Sequence, residues 1–390
     1  MRKSLMPFVL LFGTMFLFGI IANIRGVSYP LIKDEFGISY EQQGAFVSII
    51  SFGYVIFCIV GGILLSQFGV KKTYVAGFAA MVMGLTGAFL LPGFLSVAVA
   101  LFVVSASFGI LEININALAA QTFTKRTGLS LNLLHFLYGA GAIVSPRAAG
   151  ALAVSFGWRH AYLASIPLAL LFVTLAVFTR FPVSEAKVSE ESGKPKKISY
   201  FTALKTPMVW VIAAVLGLLL AVDISSLNWA GLYFRDIHGL DPRVSTAAFL
   251  SNYFILFTVS RLVSGFAIEK LGYVRSLFIT TLAVVVIFII GFMLGVRGIY
   301  VLTALGFFTA IHWPTTMAVA MKYFKEDAPI MTSAIIPIAG AMNAGIQFLM
   351  GLTNRYIGPA WGYRSSIFYA VLALAALVFL VRRMRNPYKA

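Results

Sequence analysis

Charged side chains are scarce along this chain, and the few that interrupt its apolar runs are the ones able to do chemistry. Glu112 opens the run Glu112-Ile113-Asn114-Ile115-Asn116, in which Glu112 and Asn116 lie one helical turn apart and share a face. Burial in a low-dielectric cavity favours the neutral form of a carboxylic acid, so an acid at that depth suits reversible protonation. A fixed ion pair with Arg25 or Arg147 is the structural alternative. Asp223 leads a second polar run, with Ser226, Asn228 and Trp229 close behind it. That mix of donors, acceptors and one aromatic ring suits a hydroxylated solute, and the alternative is an interfacial Asp near a span end. His135 and Tyr138 are three apart on one helical face, and His titrates near physiological pH. Glu112, Asp223 and His135 are therefore the candidate proton carriers.

The candidate solute contacts come from the same apolar runs. Asn23 and Arg25 stand in the first, Asn116 in the fourth, and Tyr138 and Arg147 in the fifth. Arg is permanently charged and suits carboxylate or phosphate, so Arg25 and Arg147 either bind an anion or neutralise Glu112. Asn228 and Trp229 lie in the seventh run, followed by His312 and Trp313 beside Pro314 in the tenth. Proline removes a backbone donor and breaks a helix, freeing carbonyls there. Asn343 and Gln347 are four apart and share a face, which equips them either to hold solute or to bridge helices.

The elements that carry these residues follow from composition. The chain is 60% hydrophobic and 11% charged with mean hydropathy +0.93, where soluble domains carry about 25% charged residues. Its 390 residues accommodate about twelve spans of roughly 20 residues with short loops. Apolar runs place them at 8–32, 42–66, 73–92, 95–120, 128–154, 159–180, 208–232, 244–268, 276–296, 299–320, 330–356 and 362–382. Helices are required because a spanning backbone must satisfy its own hydrogen bonds. Met1-Arg2-Lys3 before an apolar run is similar to a signal-peptide start. Asn23 and Arg25 continue the segment and no small-residue cleavage site closes it, so it reads as the first span.

The net charge of +17 follows the positive-inside rule and predicts no nucleic-acid partner. Lys71, Lys72, Lys125, Arg126, Lys187, Lys194, Lys196, Lys197, Lys205, Lys270, Arg275, Lys322 and Lys325 fall in alternate loops, with Arg2, Lys3, Arg382, Arg383, Arg385 and Lys389 at the ends. This predicts cytoplasmic termini in a multi-pass protein of the cell (inner) membrane. Residues 183–206 are the one long polar stretch and read as a cytoplasmic linker between halves 1–182 and 207–390. Cys58 is the only cysteine, which excludes an intrachain disulfide and a cysteine metal site. No Gly-Lys-Ser/Thr phosphate loop, metal-ligand spacing or nucleophile elbow is present, so neither an ATP-driven machine nor an enzyme is predicted.

The halves echo one another. Gly62 to Lys72 resembles Gly265 to Arg275 at an offset of 203, Phe36-Gly37-Ile38 pairs with His238-Gly239-Leu240 at 202, and Gly157-Trp158-Arg159 with Gly362-Tyr363-Arg364 at 205. Duplicated halves in a membrane chain are the usual build of an alternating-access carrier.

These residues resemble the major facilitator superfamily. The paired segments are similar to its loop 2–3 and loop 8–9 motif, in which Gly, an acid, Gly and Arg/Lys gate the cytoplasmic side. The resemblance assigns gating to Gly62, Gly69 and Lys72 in the first half and to Gly265, Glu269, Gly272 and Arg275 in the second. Ser66 stands where the first acid would be, and Arg261 either snorkels or pairs with Glu269. Leu17-Phe18-Gly19, Gly109-Ile110-Leu111-Glu112, Leu131-Asn132 through Gly139, Asn228-Trp229 before Tyr233, and Trp313-Pro314-Thr315 are similar to the fucose/galactose/glucose:proton symporter branch. That branch implicates its span-4 glutamate in proton coupling, a role that falls on Glu112. Gly26 stands near the place of an acid that some members have, Asp223 replaces a common Glu, and Ser145-Pro146-Arg147 replaces a Gly-Pro pair.

The expected molecule is an all-α membrane protein with twelve transmembrane helices in two pseudo-symmetric six-helix bundles. It would move a small polar, sugar-like solute by proton symport, with the solute midway between the bundles. It would be monomeric, with no cofactor beyond the proton gradient. Two alternatives stand beside it: a proton-driven exporter of drugs or lipophiles, which the 35 Phe fit in part, and an organic-anion carrier using Arg25 and Arg147.

Overall fold

A computed structural model of the chain describes residues 6–122, 127–179, 181 and 200–385. These residues form helices and no strand. They are α1 (Met6–Phe36), α2 (Tyr40–Leu90), α3 (Phe94–Thr122), α4 (Thr127–Ser155), α5 (Arg159–Phe178), α6 (Tyr200–Lys205), α7 (Pro207–Asn228), α8 (Ala230–His238), α9 (Ser245–Leu271), α10 (Tyr273–Met293), α11 (Gly298–Leu302), α12 (Leu305–Thr309), α13 (His312–Phe324), α14 (Ala328–Tyr356), α15 (Trp361–Arg364) and α16 (Ser366–Arg385). Short 3₁₀ turns at Gly295–Arg297 and Lys325–Asp327 join α10 to α11 and α13 to α14.

Ten stretches among the described residues are long and apolar enough to cross a membrane. One of them, α2, has 51 residues and a non-helical break at Gly69, so it supplies two crossings. Ser245–Leu271 is long enough for another; Arg261, Glu269 and Lys270 lower its hydropathy. With that helix the crossings number twelve.

Several expected boundaries move. Spans 2 and 3 are separated by a sharp break at Gly69 instead of a loop over 67–72. Span 7 stops at Asn228, and its last residues belong to α8. Span 10 is a chain of short helices, α11 to α13, and the break at Ala310–Ile311 falls just before Pro314, whose ring opposes a carbonyl four residues back. The end of the expected linker is helical, as α6; its residues 182–199, with Lys187, Lys194, Lys196 and Lys197, lie outside the described residues. Arg2, Lys3, Lys125, Arg126 and Lys389 lie outside them too.

The repeat is visible in the backbone. Gly69 (φ 75, ψ 169) and Gly272 (φ 84, ψ 150) share a conformation that only glycine adopts without strain. The Thr73 hydroxyl returns to the Gly69 carbonyl and the Ser276 hydroxyl to the Gly272 carbonyl, both at 2.9 Å. Gly37 (φ 58) ends α1 as Gly239 (φ 66) ends α8.

Two compact units divide the chain. The first comprises Met1–Ser39, Phe46–Val188 and Leu240–Ser251, and the second Tyr40–Ala45, Ser189–Gly239 and Asn252–Ala390. In the first, the backbones of α1 and α4 approach closely at Gly19 and Gly141. A Cβ on Gly19 would meet the Tyr138 carbonyl at 2.1 Å, and one on Gly141 the Phe16 carbonyl at 2.2 Å. Ser145 donates to the Ile20 carbonyl at 2.5 Å, Thr14 bonds Tyr74 at 2.6 Å and Ser28 bonds Tyr162 at 2.8 Å. In the second, α7 is tied to the start of the last span by Ser226–Tyr363 at 3.0 Å and Ser366–Ser225 at 2.8 Å. The first turn of α2 belongs to this unit, where the Tyr40 hydroxyl donates to Asp236 and Gly44 abuts Gly351.

Gly19→Leu should therefore reduce the yield of monodisperse protein and lower its melting temperature, by at least the ~1–3 kcal/mol typical of overpacking. Gly62→Ala, at a position with open space around it, should leave both unchanged. Fluorescence-detected size exclusion and a thermal ramp check the pair, and equal behaviour of the two variants would refute the contact.

Candidate functional site

In the first unit the Glu112 carboxyl is part-buried on α3. It lies within hydrogen-bond reach of Asn116, one turn on, as the shared face requires. From α2, Tyr54 and Cys58 lie one turn apart within the field of Glu112, and Tyr138 of α4 lies within the field of Tyr54. Gly109 allows this approach, because a Cβ there would strike the Tyr54 carbonyl at 2.5 Å and the Cys58 amide at 2.7 Å. Glu112 makes no ion pair among the described residues, so the pairing with Arg25 or Arg147 that its position allowed does not form.

Arg25 is part-buried on α1, and its Nε is buried with no hydrogen-bond partner. The phenols of Tyr29 and Tyr162 lie within its field. Two residues earlier, Asn23 is buried and uses its amide nitrogen on the Gly19 carbonyl at 2.8 Å, leaving Oδ1 unbonded. Arg147 and His135 are both exposed on α4. Neither contributes to the Glu112 cluster, whose α4 member is Tyr138.

The second unit assembles two connected sets. Tyr253 of α9 donates to the Asp223 carboxylate on α7 and bonds Thr309 of α12 at 2.6 Å. A Cβ on Gly306 would meet the Tyr253 carbonyl at 2.1 Å, so glycine again sets the spacing. Beside it, Gln347 of α14 accepts from Asn228 at 3.2 Å and from the Trp229 indole at 2.9 Å, and donates to Asn343 at 3.2 Å. Four of the predicted contacts thus meet, and they bridge helices. Trp229 is 1% exposed, so its ring is a buried donor and offers no open stacking face. His312 is buried and neither ring nitrogen has a partner, nor has the nearby buried Thr315 hydroxyl. Trp313 is part-buried.

At the paired motif, Gly62 and Gly265 both have open space around them, while Lys72, Glu269 and Arg275 are exposed. Glu269 makes no ion pair among the described residues and does not hold Arg261, whose guanidinium lies over the Phe257 ring at 4.6 Å. Ser66 turns back onto the Ile63 carbonyl at 2.8 Å. Tyr54, Cys58, Tyr253 and Thr309 are the site residues that the sequence reading missed. Tyr54 and Cys58 are four apart and so share a face, a readable signal. Tyr253 and Thr309 carry no comparable pattern.

The Major Facilitator Superfamily model matches residues 11–336, and the chain belongs to that family. It is a transporter, not an enzyme. It is 24% identical over 383 residues to the hexuronate transporter of Bacillus subtilis, across 92% of this chain and 87% of that protein. It is 26% identical over 264 residues to the cis,cis-muconate transport protein of Acinetobacter baylyi, across 64% of this chain and 63% of that one. Among solved structures it is similar to the E. coli fucose:proton symporter FucP, with TM-score 0.66 and 20% identity, covering 98% of this chain and 99% of the other. That likeness shows the fold.

Asp223 and Tyr253 should behave as an energetic pair. In a double-mutant cycle, Tyr253→Phe and Asp223→Asn should couple by about 0.6–1.7 kcal/mol of thermal stability, the range for side-chain hydrogen bonds in membrane bundles. Additive effects would show that the contact carries no energy.

Proposed function

We propose that this chain is a proton-coupled symporter of a small organic acid, with a sugar acid as the best-fitting class. The observation that carries the reading is a pair of opposite charges in one unit that find no ionic partner among the described residues. Glu112 stands in an apolar span with no cation paired to it there, and Arg25 with no carboxylate. A charge costs several kcal/mol in the membrane, so one kept without a neutralising partner is a functional candidate. An acid in that position suits a travelling proton. A guanidinium, which cannot deprotonate, suits a travelling carboxylate. Binding both together would neutralise each site in the loaded carrier.

The relatives support the solute class. Hexuronate is a sugar acid and cis,cis-muconate a dicarboxylate, and both need a fixed cation. The hydroxyl-matching part of the earlier expectation survives in the hexuronate case, whereas a neutral hexose leaves Arg25 unanswered. The proton gradient would supply the drive. Alternating access of the two bundles, joined through 183–206, would supply the movement. The alternate-loop lysines and arginines support cytoplasmic termini at the inner membrane. A C-terminal green fluorescent protein fusion should fluoresce and an alkaline phosphatase fusion should be inactive; the reverse pattern would refute this orientation.

Uptake into proteoliposomes tests the chemistry. An inward proton gradient should drive accumulation of glucuronate by the unaltered chain. Glu112→Gln should abolish gradient-driven accumulation while leaving glucuronate counterflow. Arg25→Gln should raise the KM for glucuronate by tenfold or more, the ~1.4 kcal/mol or greater expected for one lost charge-assisted contact. Proton-driven accumulation by Glu112→Gln, or an unchanged glucuronate KM in Arg25→Gln, would sink the corresponding half of the reading.

A further inference from the structure

The two halves treat one arginine differently. In the first unit Arg159, in Gly157-Trp158-Arg159, is fully answered. Its Nη2 pairs with Glu35 at 2.9 Å, and its Nη1 donates to the carbonyls of Ala88 at 3.0 Å and Leu91 at 2.8 Å. The Trp158 indole donates to the same carboxylate at 2.5 Å, and the guanidinium lies over the Trp158 and Phe36 rings.

The matching residue in Gly362-Tyr363-Arg364 has the rings without the carboxylate. Arg364 lies over Tyr233 at 5.6 Å, Trp361 at 5.8 Å and Phe292 at 6.0 Å. Its one hydrogen bond is a long one to the Tyr233 hydroxyl, 3.4 Å, and its Nε is buried with no partner. The register explains the loss. Gly37 and Gly239 end their helices alike, so His238 stands where Phe36 does and Ile237 stands where Glu35 does. Nearby acids are committed elsewhere: Asp236 to Arg235 at 2.6 Å and to Tyr40, and Asp241 to Arg243 at 2.7 Å.

His238 adds a second donor to the same place. It stands edge-on to Tyr233 at 5.3 Å, within the field of Arg364, and its Nε2 is buried and unbonded. Burial and the Arg364 charge lower the basicity of this imidazole, so a neutral ring there offers an N–H without a second like charge. Both side chains remain partly accessible. Exposed Trp361, Tyr300 and Tyr356 lie on the segments at this end of the unit, as aromatic side chains do at a membrane–water interface.

We infer that Arg364 and His238 form an oxyanion-binding site, in which a bound phosphate or carboxylate stands in for the carboxylate that Glu35 supplies in the first half. A guanidinium ringed by aromatic faces and lacking an acid is completed by planar or tetrahedral oxygens accepting its N–H groups. The oxyanion comes either from the headgroup phosphate of an anionic lipid or from a free ion, and the two sources share this chemistry. The inference is independent of the Glu112 and Arg25 reading, since it uses none of those residues.

Thermal melting of the purified full chain tests it in two arms. One arm titrates inorganic phosphate in neutral detergent. The other compares phosphatidylcholine nanodiscs with and without phosphatidylglycerol. Stabilisation in the first arm assigns a free ion, and stabilisation in the second alone assigns a lipid headgroup. Ile237→Glu, which returns the carboxylate of the first half, should melt higher than the parent in the absence of anion and lose the response. Arg364→Gln should weaken the response by on the order of tenfold or more. No response to either anion in the parent chain, or a response that survives Arg364→Gln undiminished, overturns the proposal.

Discussion

Hydrocarbon accepts no hydrogen bonds, and that one condition shapes nearly everything described above. A backbone that crosses it must be helical, and a helix that breaks inside it must find other partners for the groups released. Hydroxyls also brace the first turns of helices beside the breaks: Thr73 and Ser276 close on the carbonyls of Gly69 and Gly272, and Thr316 on that of His312 at 2.7 Å. At the α7–α8 junction the Trp229 amide reaches the Ser225 carbonyl at 2.8 Å while its indole reaches Gln347. The same condition removes the hydrophobic drive between helices, so close backbone approach must replace it. Gly19 against Gly141, Gly61 against Ile110 and Gly291 against Gly298 are the resulting contacts, each too tight for a β-carbon.

Hydropathy and glycine placement made the spans, the repeat and most of the breaks legible in the sequence. What remained hidden has a common cause. A helix that is apolar all round has no amphipathic stripe, so its sequence does not say which side meets protein and which meets lipid. His135 and Arg147 both sit in an apolar run, and that run does not say that both are exposed. Trp229 looked like an open platform and is sealed against Gln347. Glu112 and Asn116 were legible together because a local i, i+4 relation needs no knowledge of neighbours. Tyr253 joining Asp223 to Thr309 needs three helices at once and leaves no trace in any one of them.

Duplication adds a further lesson, since backbone geometry matches between the halves where charge does not. The glycine torsions and their capping hydroxyls are kept almost unchanged. Side-chain charge is not. At the offset of 203 set by the gating segments, Thr315 stands opposite Glu112, a buried hydroxyl in place of an acid. At 205, Asn23 matches Asn228, but Arg25 meets Ala230. The first unit therefore has Glu112 and Arg25 where the second has a hydroxyl and an aliphatic side chain, while the second carries its own acid, Asp223.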